Sequence, residues 1–242
     1  MDGDEIDVIH RSCHAGNVIT ADLRLEPNAI ERIYGSPRTR HGDNRPMLEL
    51  CMVSSVDGSI AVDGRSGPLS GDQDRRVLAT LRQRSGMVLV GAGTVRAEGY
   101  VEPRPDGPMF AVVTARGDLD WDSAFAQSPN LIVVTTANSD IPPGIATIRS
   151  QSAEVDLANA IAELASMVPD GGFIHAEGGA MLNGSLASHD LIDVLNLTIS
   201  GRLVGGEASR ITEGAPPVNH DYEITHIIAG DEHLFTRWSR RR

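Results

Sequence analysis

Four short runs are apolar almost throughout rather than on alternate positions: Met87 to Val90, Met109 to Thr114, Leu131 to Thr136 and Phe173 to Ala176. A strand of that kind needs cover on both faces, which argues against a sheet with one wet side. Helical patterns alternate with the runs. Val77, Leu78 and Leu81 share a face after Ser70 or Asp72, either of which can cap. Leu157 to Met167 places Ile161, Leu164 and Ala165 together, and a further helix runs from about Ala180 to Ser188. Short connections between such elements imply an α/β fold, a mostly parallel central sheet with helices on both faces. Met47 to Val53 is a further buried strand, ended by the turn-prone Ser55-Val56-Asp57-Gly58; Ile60-Ala61-Val62 is a brief strand before a glycine-rich loop, Asp63 to Gly71. Asp193 to Ser200 and Tyr222 to Gly230 alternate as later strands, the second suiting a sheet edge. Residues 1–45 read as a polar arm with one short helix at 27–34 and a closing turn at Asp43-Asn44-Arg45-Pro46; residues 46–242 read as one domain.

Composition removes several chemistries. All 21 basic residues are arginine, and without lysine neither a Schiff-base enzyme nor a Walker-type phosphate loop can be built. Twenty-one basic against 33 acidic residues leaves a net charge of −12, which repels nucleic-acid backbones. The closing Arg240-Arg241-Arg242 reads as a solvated end. Two cysteines, Cys13 and Cys51, are too few for a disulfide framework or a four-cysteine zinc site. No run is long enough for a membrane helix, and the acidic start has no apolar signal core, so a cytoplasmic protein is expected.

Ligands of open α/β sheets sit at the carboxyl ends of strands, and three such ends stand out. Gly91-Ala92-Gly93-Thr94 follows an apolar strand; its small residues suit a diphosphate, or simply a tight turn, and Arg96 stands where a dinucleotide fingerprint has its third glycine. Glu177-Gly178-Gly179-Ala180 repeats the arrangement and would let a cofactor lie against the main chain. Thr114-Ala115-Arg116 ends a third strand, where the arginine could fork onto a phosphate or lie in solvent. His175-Ala176-Glu177 matches the start of a zinc deaminase motif, but no cysteine follows Cys51 to complete it. His10 and Cys13-His14 have no further ligands at usable spacing, so no metal is expected. There is no G-x-S-x-G elbow, and Met47 and Met52 read as core.

Taken in order, Ser54-Ser55-Val56-Asp57-Gly58, Gly67-Pro68-Leu69-Ser70, Asp74-Arg75-Arg76 with Leu81-Arg82, Val88 to Glu98, and Glu177-Gly178-Gly179 resemble the pyrimidine reductases of riboflavin biosynthesis. The resemblance is to the reductase half of the bifunctional deaminase-reductase and covers about residues 46–236. It implies a dihydrofolate-reductase-like fold, a homodimer, and NADPH-dependent reduction of a ribosyl group to a ribityl chain, as in 5-amino-6-(5-phosphoribosylamino)uracil reductase. It places cofactor on Gly93, Thr94 and Glu98, near Val134, and on Gly178, Gly179 and Ala180; with the strand-end reading, Gly91, Ala92, Val95, Thr114, Arg116 and Glu177 complete the expected cofactor residues. Asp57 and Ser55 are the residues expected to act on the reacting groups. Cys51, Pro68, Leu69 and Arg104 are expected beside substrate.

The chain departs from that family on the substrate side. Cys51 stands where the family has a substrate-facing lysine, Ser59 replaces the lysine after S-x-D-G, and Glu98-Gly99-Tyr100 replaces D-D-P. Two alternatives follow: a reductase of a pterin such as dihydrofolate, and a nucleotide-binding regulator without turnover.

Overall fold

In the computed structural model, residues 9–13, 16–20, 27–36, 38–41, 45–230 and 232–242 are described. The apolar runs form neighbouring strands. In chain order the elements are a hairpin of β1 (Ile9–Cys13) and β2 (Gly16–Thr20), then α1 (Pro27–Tyr34), β3 (Leu48–Ser55), α2 (Asp72–Arg84), β4 (Met87–Gly91) and α3 (Ala92–Glu98). There follow β5 (Met109–Thr114), β6 (Leu131–Thr135), β7 (Thr147–Arg149), α4 (Leu157–Ala165), β8 (Ile174–Ala176), α5 (Ala180–Ser188), β9 (Val194–Ser200), β10 (Tyr222–Ala229) and β11 (His233–Arg240). The main sheet has nine strands in the order β10-β11-β9-β3-β8-β4-β5-β6-β7. Pairing is parallel from β9 to β7 and antiparallel only at β9–β11 and β11–β10. The mostly parallel α/β sheet is as the sequence implies, and β10 is an edge strand as its alternation suggests.

Doubly apolar strands earn their pattern by feeding two cores. Met87 and Leu89 join Leu48, Leu50, Ile174 and Ala176 under α4 and α5, whose Ile161, Leu164 and Leu186 are completely buried. Val88 and Val90 point the other way, with Phe110, Val112 and Val133 beneath α3. A third cluster gathers Ile30 and Tyr34 of α1, Val77 and Leu81 of α2, Cys51, Phe173 and Phe235 on the far half of that face. Truncating any one of these large side chains to alanine costs about 2–5 kcal/mol.

Several local expectations are corrected. Residues 60–62 form no strand; only an isolated bridge, Val62 to Arg65, closes a tight turn there. The cap of α2 is Gly71, with no side-chain capping bond, so neither Ser70 nor Asp72 caps it. The last arginines are ion-paired, although Arg241 and Arg242 stay exposed as expected. Arg240 Nε pairs with Asp190 Oδ1 at 2.9 Å, and Arg242 Nη1 with the buried Asp193 at 2.6 Å. Asp193 also accepts from Arg45 and the Leu48 amide, so it clamps the arm and the chain end onto β3. Asp43 and Asn44 of the expected closing turn lie outside the described residues.

Candidate active site

Strands β4, β5 and β6 step away from the sheet centre, whereas β8 returns between β3 and β4. The chain thus reverses direction at β4/β8, and the carboxyl ends of β3, β8 and β4 open into a cleft there. Its smaller compartment, about 380 Å³, lies between the end of β3, the 60–70 loop, α2, α3 and the end of β8. Its larger one, about 860 Å³, runs over the ends of β4 and β5 and the start of α5. Gly93, Thr94, Gly179, Ala180 and Ser209 line both, forming the waist of a continuous cleft.

Two glycine turns meet at the waist. The Gly91 amide donates to Gly178 O at 2.7 Å, and the Gly178–Gly179 peptide is cis. A Cβ added at Gly179 would lie 2.9 Å from Thr94 Oγ1. Helix α5 begins immediately, so its first amides have no acceptor within the helix, and Ala180 and Met181 line the cleft. At the far end of the larger compartment, Arg116 is exposed, and its guanidinium has no ion-pair or hydrogen-bond partner among the described residues. Thr114 is buried, its hydroxyl donating to Asp118 Oδ1 at 2.7 Å. These groups could hold an extended, phosphate-bearing cofactor: diphosphate at the waist, a further phosphate at Arg116.

The floor of the smaller compartment carries an ion pair between a half-buried arginine and a buried glutamate that the sequence does not announce. Arg82 of α2 grips Glu177 through Nε to Oε1 at 2.5 Å and Nη2 to Oε2 at 2.6 Å, and the Tyr100 hydroxyl donates to the same Oε2. The guanidinium also lies 5.1 Å from the Tyr100 ring centre. Burial pushes the Glu177 carboxyl up, yet the Arg82 hydrogen bonds and the nearby His175 ring outweigh it and hold it at about 2. Burial, then the Glu177 charge, pushes the Tyr100 hydroxyl above its ordinary range. His175 Nε2 stands 3.2 Å from Glu177 Oε1, out of line for a hydrogen bond, and neither ring nitrogen has such a partner among the described residues. Cys51 is on the wall too; burial, then the charge of Asp74, raises its thiol, so it remains protonated.

The other expected site residues scatter. Gly91, Ala92 and Glu98 line the cleft, with Glu98 Oε1 accepting from the Ser66 amide at 2.8 Å; Val95 packs in the core beneath α3. Val134 is buried in the middle of β6, away from the cleft lining. Arg104 is exposed on a loop held by Asn130 and is not brought to the cleft. Pro68 is exposed, and Leu69 is buried with its carbonyl accepting from His233; their neighbours Ser66 and Ser70 line the compartment instead. Ser55 and Asp57 lie beside the cleft, not on its wall. Asp57 accepts from Ser55 Oγ at 2.5 Å and from the Gly205 and Val204 amides at 2.7 and 3.2 Å. Those bonds, Ser55 first, hold the exposed carboxyl at about 2. Sequence reasoning did not single out Arg82 and Tyr100 as a pair with Glu177. The available signal was an arginine at one helix end and a tyrosine just past the next, with no spacing rule to join them.

Among the described residues no three His, Cys, Asp or Glu gather as a metal site, and no helix is long and apolar enough to cross a membrane. Comparison with known proteins gives the ancestry. The 2,5-diamino-6-ribosylamino-4(3H)-pyrimidinone 5′-phosphate reductase of Methanothermobacter thermautotrophicus is 27% identical over 180 residues, covering 69% of this chain and 82% of that one. A pyrimidine reductase-like protein of Corynebacterium diphtheriae superposes with a TM-score of 0.75 at 19% identity, over 88% of this chain and 99% of its own. Dihydrofolate reductase of Enterococcus faecalis, at 15% identity, follows the fold at a TM-score of 0.50 over 81% of this chain and 97% of its own, so the architecture is dihydrofolate-reductase-like. The model of the RibD C-terminal domain matches residues 46–235, and the chain belongs to that family.

Proposed function

We propose that the chain is an NADPH-dependent reductase of a riboflavin-pathway phosphoribosylaminopyrimidine, delivering hydride to the ribosyl carbon. The observation that carries this reading is the two-compartment cleft pinched between Gly93-Thr94 and Gly179-Ala180. Its length and waist suit a dinucleotide laid across the strand ends, with the reacting ring in the smaller compartment. NADPH supplies the hydride when bound; the protein's task is to hold donor and acceptor in reacting geometry and exclude water.

Each group has a physical part in that task. Gly179 and Gly93 keep side chains out of the waist, and the Thr94 hydroxyl adds a donor there. Arg116 receives the 2′-phosphate. Met52, Ile60 and Leu78 supply apolar wall to the smaller compartment. Glu177 stays ionised and Tyr100 protonated at neutral pH, so this pair fixes the floor instead of exchanging protons. Ser55 and Asp57 act as orienting groups: the carboxylate ties the end of β3 to the 204–205 loop and keeps the entrance in shape.

Calorimetric titration with NADPH and NADH tests the cofactor half of the reading. The native protein is expected to bind NADPH well ahead of NADH. Arg116→Ala should weaken NADPH about tenfold or more, the loss of one charged hydrogen bond, and leave NADH unchanged. Equal binding of the two cofactors, or no binding of either, overturns the assignment.

A further inference from the structure

We infer that Arg96 sets cofactor choice indirectly: it cancels the charge of Asp118, so that a 2′-phosphate can settle on Arg116. This role rests on the reductase reading above and deepens it, by naming what admits one cofactor ahead of the other. Thr114 is the hub of the turn that carries Arg116 and Asp118. Its Oγ1 accepts from the Arg116 and Gly117 amides at 3.3 and 3.1 Å and donates to Asp118 Oδ1 at 2.7 Å. Gly117 has a φ of +76°, and a Cβ there would lie 2.4 Å from Asp140 O, so the turn is seated closely against that residue. Arg116 and Asp118 are thus fixed two residues apart on the lining of the larger compartment.

These two side chains ask for different cofactors. An arginine past a strand end suits a 2′-phosphate, whereas a carboxylate there accepts from a free ribose 2′-hydroxyl and repels a phosphate. Left alone, the turn would offset its own arginine. Glu154 and Glu213 line the same compartment, and Arg96 and Arg116 are its two arginines among the described residues. Every uncancelled negative charge there counts against a dianion.

Arg96 of α3 settles the conflict. Its Nη1 lies 2.8 Å from Asp118 Oδ2 and donates to Asp118 O at 2.6 Å. The two side chains are 48% and 51% exposed, so the pair adds little to stability, and its effect is on the local field. The guanidinium also flanks the waist, with Nη2 3.9 Å from the place of a Cβ on Gly93. Direct contact with a diphosphate is therefore the rival role, and it would serve NADPH and NADH alike.

Calorimetric Kd values for NADPH and NADH are compared in the native protein, Arg96→Gln, Asp118→Asn and the double variant. Gln keeps the length of the side chain without its charge, and Asn keeps an acceptor for the Thr114 hydroxyl. Arg96→Gln should weaken NADPH about fivefold, less at high salt, and should not weaken NADH. Adding Asp118→Asn removes the charge that Arg96 cancelled and should restore NADPH binding to within about twofold of native. Thermal midpoints within a few degrees of native report that the variants are folded. A loss that Asp118→Asn does not repair, or one shared equally by NADH, overturns the inference and puts Arg96 on the diphosphate. Native NADPH affinity in Arg96→Gln overturns it too, by making the ion pair incidental; in both cases the reductase reading stands. A native protein with no preference for NADPH overturns both.

Discussion

At the residue scale, the cleft is governed by what cannot be added at one position. Gly179 has a φ of −77°, open to any residue, yet a Cβ would lie 2.9 Å from Thr94 Oγ1 at the waist. Gly179→Asp should therefore leave cooperative unfolding in place, because only a hydroxyl needs to shift, while its carboxylate closes the path of a diphosphate. NADPH titration of that variant should show no binding; native affinity would place the cofactor elsewhere. Asp57 makes a contrasting case. Held at about 2, it does not titrate near neutrality, so Asp57→Asn should lower kcat without changing the shape of its pH profile across the neutral range. Loss of a limb of that profile would assign Asp57 a proton instead. That Gly93, Gly179 and Arg116 would border one cleft was legible in the sequence, because strand ends have a local signature. The Arg82–Tyr100–Glu177 grip was not, because its members come from α2, the turn after α3 and the end of β8, and only the fold brings them together.

At the element scale, one buried carboxylate ties three segments. Glu49, with no exposure, lies on β3 and receives Arg38 Nε at 2.5 Å and Arg237 of β11 at 2.7 and 2.9 Å. Burial raises its carboxyl, but Arg237 and then Arg38 outweigh it and hold it at about 2, against 4.5 for a free group. Glu49→Ala leaves two guanidinium groups largely buried with no counter-charge and should cost about 3–5 kcal/mol, read as a lower midpoint in denaturant. A loss within 1 kcal/mol would show the cluster to be dispensable. This same cluster explains why β11 escaped the sequence: Arg237, Arg240 and the arginines beyond resemble a solvated tail until their carboxylates, 49, 190 and 193, are found on distant elements. Strand β7 escaped for a simpler reason, since its three residues are too few to carry a period. The expected strand at 60–62 failed because that stretch has no neighbour in the sheet and turns back on itself at Val62 and Arg65.

At the scale of the whole molecule, runs apolar on both sides proved a reliable guide, because each strand of the sheet centre serves two cores at once. The acid limit follows from the buried carboxylates. Glu49 and Glu177 each fall from 4.5 to about 2 on folding, so their stabilisation is complete above the unfolded value and lost as pH drops towards 2. Cleft and fold should therefore fail together in acid, with NADPH binding and thermal stability declining over the same interval. NADPH oxidation by purified protein, with the phosphoribosylaminopyrimidines as acceptors, decides whether the cleft is a reductase site. Loss of the reduced nicotinamide absorbance should match, mole for mole, the appearance of a ribityl product. Tight NADPH binding with no oxidation on either pyrimidine would contradict it and leave a nucleotide-binding protein without this turnover.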